Sequence, residues 1–293
     1  MDILLDLKRT REFLVCIDSD GCILDNMELK HKECFCPATV NVWNLQTVSR
    51  YARETAEFVN LYSRTRGTNR FPAIVRTLEL LYARDEVKAA GLTQPDLSAL
   101  RRWIAQTPVL GAAALEDYYR SHGDVEPVLA QAARWSREVD ANIEHIVRGV
   151  APFPYVKEAI RKLKTFADVV VISATPHEAL VRELHACGVD ALVTAIAGQE
   201  LGTKSECIRK AMGDRYAPSH VLKIGDAPSD YKAAQDNGVL FYPILPGAET
   251  QSWQQLLRTD AERFADGSYA GAPMDARIAD FFKRLPEQPP WIA

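Results

Sequence analysis

Between residues 156 and 244 the chain alternates short apolar runs with helix-period segments, and this constrains its fold more than any other feature. A helix over 156–166 leads into a strand at 169–173 (Val-Val-Val-Ile-Ser). A helix from about His177 precedes a strand at 192–197, and one starting near Thr203 precedes the strand Val-Leu-Lys-Ile-Gly at 221–225. A last helix at 229–236 leads to a strand at 239–244. Such alternation predicts a Rossmann-like, doubly wound parallel sheet with helices on both faces. One further strand stands far upstream. Residues 13–18 (Phe-Leu-Val-Cys-Ile-Asp) form an almost wholly apolar run, as expected of a central strand buried on both faces. It has no strand neighbours in sequence, so the economical reading places it in the same sheet.

What lies between is helical. From about Pro37 to about Arg148, apolar residues recur at three-four spacing. Val48, Tyr51, Ala52, Thr55, Phe58, Val59 and Tyr62 form one face. Val125, Val128, Leu129, Ala132, Trp135, Val139, Ile143 and Ile146 form another. Breaks are expected near Gly67, Pro72, Gly91, Pro95, Pro108 and Gly123, and Trp43, Trp103 and Trp135 read as bundle core. The α/β chain is therefore divided into a sheet-bearing core, 1–27 and 150–293, and a large all-helical domain, 28–149, inserted after the first strand. A length of 293 residues fits two such parts. The tail after Gln251 holds two more helical candidates with no assignable place.

Open parallel sheets bind ligands beyond the carboxyl ends of their strands, and the polar residues fall there. The first strand ends in Asp18-Ser19-Asp20-Gly21, another in Ser173-Ala174-Thr175, and a third in Gly225-Asp226-Ala227-Pro228-Ser229-Asp230. Lys204 stands at a helix start between the last two. Asp18, Asp20, Asp226 and Asp230 gather carboxylates that repel unless a cation compensates them. Hard oxygen donors suit Mg2+, which shares itself with phosphate oxygens. Lys204 adds a fixed positive charge and Ser173 a hydroxyl donor, which together suit placing and neutralising a transferring phosphoryl group.

These four segments resemble the four motifs of the haloacid dehalogenase superfamily, which in order are a strand with Asp-x-Asp-Gly, a strand ending in Ser or Thr, a Lys at a helix, and Gly-Asp-x-x-x-Asp. They match Asp18 to Gly21, Ser173, Lys204, and Gly225 to Asp230. The resemblance covers about Arg11 to Pro246, with the insert alike only in position and helical character. It implies a phosphatase-type hydrolase in which Asp18 is the nucleophile and forms an aspartyl-phosphate. Asp20 is implied as acid and then base, with Ser173, the Ala174 amide and Lys204 on the phosphoryl oxygens. The metal set it implies is the Asp18 carboxylate, the Asp20 carbonyl and the Asp226 carboxylate, with Asp230 assisting or holding Lys204. Asp20 favours ester or anhydride hydrolysis, with phosphoryl transfer to a sugar as the lesser option, because relatives that dehalogenate or cleave phosphonates lack an acid there.

A cap in this position implies a small phosphorylated metabolite as substrate, because it would close over the crevice. Arg64, Arg66 and Arg70, around Gly67, suit an anionic part of that substrate, or simply a helix end in water. Asp25 and Asn26 sit where the family carries a mobile flap. His31, Cys34 and Cys36, with Cys22 nearby, lack the spacing of common zinc modules, and the cysteines read as reduced thiols lining the hinge or core. Two other functions share the same residues. One is a phosphomutase, and the other a non-catalytic module that binds a phosphate ligand.

Composition excludes other classes. With 35 Lys and Arg against 39 Asp and Glu, the formal charge is -4, which argues against a nucleic-acid or membrane-surface binder. No apolar run approaches the roughly 20 residues of a membrane span, and the start lacks a signal-peptide pattern. Six cysteines are too few for a disulfide scaffold at this length. A cytoplasmic monomer or homodimer is expected.

Overall fold

The computed structural model describes residues 2–121 and 126–292. The expected break at Gly123 and the helix-face residue Val125 lie outside them. Two compact units result. The sheet unit holds the chain up to Met27 and again Gly149–Pro286, while the helical unit holds Glu28–Arg148 and the residues from Glu287 on.

Among the described residues the sheet unit holds the strands β1 (Phe13–Ile17), β2 (Ala167–Ile172), β3 (Ala195–Ala197), β4 (Val221–Gly225) and β5 (Leu240–Pro243). They run in the order β3-β2-β1-β4-β5, every pairing parallel. The isolated first strand thus takes the central position, where it pairs with β2 through Val15 opposite Val169 and with β4 through Val15 opposite Leu222. Its apolar sequence follows from that position, since both faces are covered. Val15, Ile17, Val169, Val171, Leu222 and Ile224 feed one core, packed with the helix Val156–Leu163. Leu14, Cys16, Val170, Ile172 and Val221 feed the other, with residues of the helices Lys204–Met212, Pro228–Asp236 and Ala272–Arg284. The two sets alternate along each strand, as the pleat requires.

Ahead of β1 the chain is tied down by Asp168, which is buried. Its carboxylate accepts from the Thr10 amide at 2.8 Å, the Thr10 hydroxyl at 2.5 Å, the Arg11 amide at 2.9 Å and the Tyr216 hydroxyl at 2.7 Å. The segment after Gln251 also joins this unit, for Trp253, Phe264 and Tyr269 pack in the first core and Phe281 in the second.

The helical unit has its own core, in which Trp43, Trp103 and Trp135 are all buried. Its longest helix, Pro127–Ile146, buries Val128, Leu129, Ala132, Trp135 and Val139. The three-four face fades at its end, where Ile146 is exposed. The helix Ser49–Leu61 buries Ala52, Thr55, Phe58 and Val59, whereas Tyr62 just beyond it is exposed. Trp291 joins this unit, with its ring 5.5 Å from that of Phe58 and beneath the Arg84 guanidinium at 4.3 Å. Among the described residues no helix is long and apolar enough to cross a membrane.

Candidate active site

The parallel order places the carboxyl ends of β1, β2 and β4 side by side, so residues 18–20, 173–175 and 225–230 meet at that end of the sheet. Asp18 directly follows β1 and stays in the ladder, its amide donating to the Ile224 carbonyl at 3.0 Å. Gly21 has φ 69°, the left-handed region open to glycine at little cost, and turns the chain back after Asp20. Its amide donates to the Leu24 carbonyl at 3.0 Å and to Asn26 Oδ1 at 3.2 Å.

The acid at position 20 is held on both oxygens. Asn26 Nδ2 donates to Asp20 Oδ1 at 2.5 Å, and the Thr175 hydroxyl donates to Oδ2 at 3.2 Å. Asn26 is fully buried and supports this acid. The Ser173 and Ser19 hydroxyls are 2.7 Å apart, and Ser173 Oγ also accepts from the Thr175 amide at 3.2 Å. Ala174 between them is exposed.

Lys204 begins its helix behind Thr203, whose hydroxyl accepts from the Glu206 amide while the Glu206 carboxylate accepts from the Thr203 amide. This reciprocal cap fixes where the helix starts and hence where the lysine projects. Lys204 Nζ lies 2.8 Å from Asp18 Oδ2 and 2.8 Å from Asp230 Oδ1. Carboxylate oxygens of Asp18, Asp226 and Asp230, all buried, lie within 4.8 Å of one another. Such hard donors, crowded out of water, fit a divalent cation such as Mg2+.

Asp230 is the anchor of the cluster. Its Oδ2 accepts from the Ala227 amide at 3.2 Å, and its Oδ1 takes a second cation, Lys223 of β4, at 3.0 Å. Burial opposes its charge, yet Lys204 and Lys223 outweigh this and hold the carboxyl below its usual range. For Asp18 the balance is reversed, because burial and the neighbouring Asp230 push its carboxyl up against the pull of the lysines. Burial likewise disfavours the Lys204 ammonium, but Asp18 and Asp230 prevail and keep it charged well above its ordinary value. Gly225 matters for space rather than backbone conformation, since a Cβ there would overlap the Asp230 carboxylate.

The structure therefore brings together Asp18, Asp20, Ser173, Lys204, Asp226 and Asp230. Arg64, Arg66 and Arg70 belong to the helical unit. Arg66 is buried and donates to the Leu61 carbonyl at 3.0 Å, while Arg64 is exposed. Arg70 pairs with Asp140 at 2.6 Å and lies over the Phe35 ring. Sequence reasoning missed Lys223 and the Asn26 and Thr175 bonds to Asp20. The signal for Lys223 was present, in a charged residue between Leu222 and Ile224 in an otherwise apolar strand.

A model of haloacid dehalogenase-like hydrolases matches residues 14–238, well over half of the chain. No curated protein matches it significantly. A candidate phosphoglycolate phosphatase from Lactobacillus delbrueckii subsp. bulgaricus shares the fold at 16% identity and TM-score 0.51, over 89% of this chain and 100% of that one. A predicted phosphoglycolate phosphatase from Haemophilus somnus 129pt aligns at 14% identity and TM-score 0.47, over 83% and 93%. A candidate beta-phosphoglucomutase from Thermotoga maritima aligns at 13% and 0.43, over 85% and 99%.

Proposed function

Because the chain belongs to the haloacid dehalogenase-like hydrolase family, we propose that it hydrolyses a phosphomonoester of a small metabolite, with Asp18 as nucleophile. The observation that carries this reading is the cluster of Asp18, Asp226 and Asp230 with Lys204 at 2.8 Å from Asp18, at the carboxyl ends of the strands. A buried carboxylate beside a fixed cation suits attack on a phosphorus whose oxygens that cation neutralises.

The Asp18 carboxylate attacks the phosphorus in line, forming an aspartyl-phosphate as the ester oxygen leaves. Asp20 gives that oxygen a proton, then takes one from the water that attacks the phosphoryl-enzyme. Asn26 and Thr175 hold the two Asp20 oxygens and so fix its direction. The Ser173 hydroxyl and the Ala174 amide are donors for the phosphoryl oxygens, and Lys204 places its charge beside Asp18. The Asp18 and Asp226 carboxylates and the Asp20 carbonyl would hold Mg2+. That ion supplies charge neutralisation for the phosphoryl group and its entering oxygen. Asp230 anchors the lysine. The large helical insertion supports a small substrate, and six free thiols support a cytoplasmic setting.

The test is phosphate release across a panel of phosphorylated metabolites with Mg2+, with EDTA and with Asp18→Asn. Turnover of one compound group, abolished by both controls, is expected. Wild-type turnover by Asp18→Asn would overturn the mechanism, and isomerisation of a sugar monophosphate without free phosphate would replace hydrolysis by phosphomutase chemistry.

A further inference from the structure

Lys223 has no part in that mechanism, yet it is the one charged residue in the five-residue strand β4, and it is fully buried. An ammonium group in the middle of a buried interior strand is strongly disfavoured unless a partner compensates it. Its partner is Asp230 Oδ1 at 3.0 Å, the same oxygen that takes Lys204 at 2.8 Å. One carboxylate therefore supports two ammonium groups. The cluster holds three carboxylates (Asp18, Asp226, Asp230) and two cations (Lys204, Lys223), which leaves one negative charge in excess.

Replace Lys223 with an apolar residue like its neighbours Leu222 and Ile224, and the excess becomes two. Asp230 would then depend on Lys204 alone, and that lysine would be committed to it. With Lys223 beneath Asp230, Lys204 is left to face Asp18 and an arriving anion. We propose that Lys223 is a positioning residue which compensates Asp230 from inside the sheet, so that Lys204, though held by Asp230, keeps its charge for the phosphoryl group, and that Lys223 thereby sets the site's balance between divalent cation and phosphate. The proposal rests on the phosphoryl-transfer reading of the site.

Two ligands of opposite charge give the readout that a merely structural role would not produce. In calorimetric titrations of the full chain with inorganic phosphate and, separately, with Mg2+, Lys223→Met is expected to weaken phosphate about tenfold or more while tightening Mg2+. Loss of packing alone would lower the number of competent sites, or weaken both ligands together. Either of those results, or unchanged affinities, overturns the proposal. A wild-type protein that binds neither ligand would instead overturn the phosphoryl-transfer reading itself.

Lys204→Met in an Asp18→Asn background provides a second test that does not depend on how Lys223→Met folds and leaves no Asp18 charge stranded. If Lys223 compensates Asp230, the melting midpoint stays within about 4 °C of that of Asp18→Asn alone. A larger fall shows that Asp230 relies on Lys204 and overturns the proposal.

Discussion

Asp230→Asn removes the charge on which two buried ammonium groups depend. Asp230 and Lys223 have no exposed side-chain surface, and Lys204 exposes only 15% of its own. At an effective dielectric near 20, each contact at about 3 Å is worth about 5–6 kcal/mol of attraction before desolvation. The new side-chain amide keeps an acceptor, Asp18 gains relief from a like charge, and Lys204 keeps Asp18. Lys223 keeps nothing comparable. Breaking a buried pair on one side costs about 3–5 kcal/mol, and we expect a loss in that range for the sheet unit. Hydrogen exchange of the β4 amides measures it locally, as a fall in protection of about 10²- to 10⁴-fold. A double variant, Asp230→Asn with Lys223→Met, should recover most of the loss, because the uncompensated charge is gone. A loss under about 1 kcal/mol in the single variant, or no recovery in the double, would refute this account of the cluster.

Two further outcomes follow from other contacts. Gly225→Ala puts a Cβ into the space of the Asp230 carboxylate, and displacing the anchor of Lys204 should lower kcat for phosphate release by about 10²-fold, whereas wild-type kcat would show that the cluster tolerates the shift. Burial raises the Asp168 carboxyl in the folded state, yet its bonds to Thr10, Tyr216 and Arg11 outweigh this and hold it below its ordinary range. Its stabilisation is therefore present above the unfolded value near 4 and lost as the pH falls through the lowered folded one. Asp168→Asn should cost about 2–3 kcal/mol at pH 7 and progressively less below pH 4 in urea denaturation, and a pH-independent difference would contradict this.

The sheet was legible because a strand buried on both faces must be apolar throughout. Such runs, separated by helix-period segments, leave few alternatives to a parallel sheet. The chain's membership in its family was legible for a related reason, since Asp18, Asp20, Ser173, Lys204, Asp226 and Asp230 each stand at a strand end or helix start, and the motif order survives without any coordinates. The helical insertion was legible as a helical block, although its faces blurred at their ends, as at Tyr62 and Ile146.

Only the tertiary structure decided who touches whom inside the site. In the sequence Lys223 is a polar interruption in an apolar strand, and it becomes a counter-ion only when the helix Pro228–Asp236 folds back over β4. That the Asn26 side chain bonds to Asp20 could not be read from its place in the sequence. The tail after Gln251 had no readable place because an amphipathic helix states that it needs an apolar partner and does not say which one, and Trp253, Phe281 and Trp291 found three different cores. Periodicity is a property of neighbouring residues and is written along the chain. Ion pairs and docking choices join residues far apart in sequence, so their energies exist only once the fold has brought the charges and surfaces together.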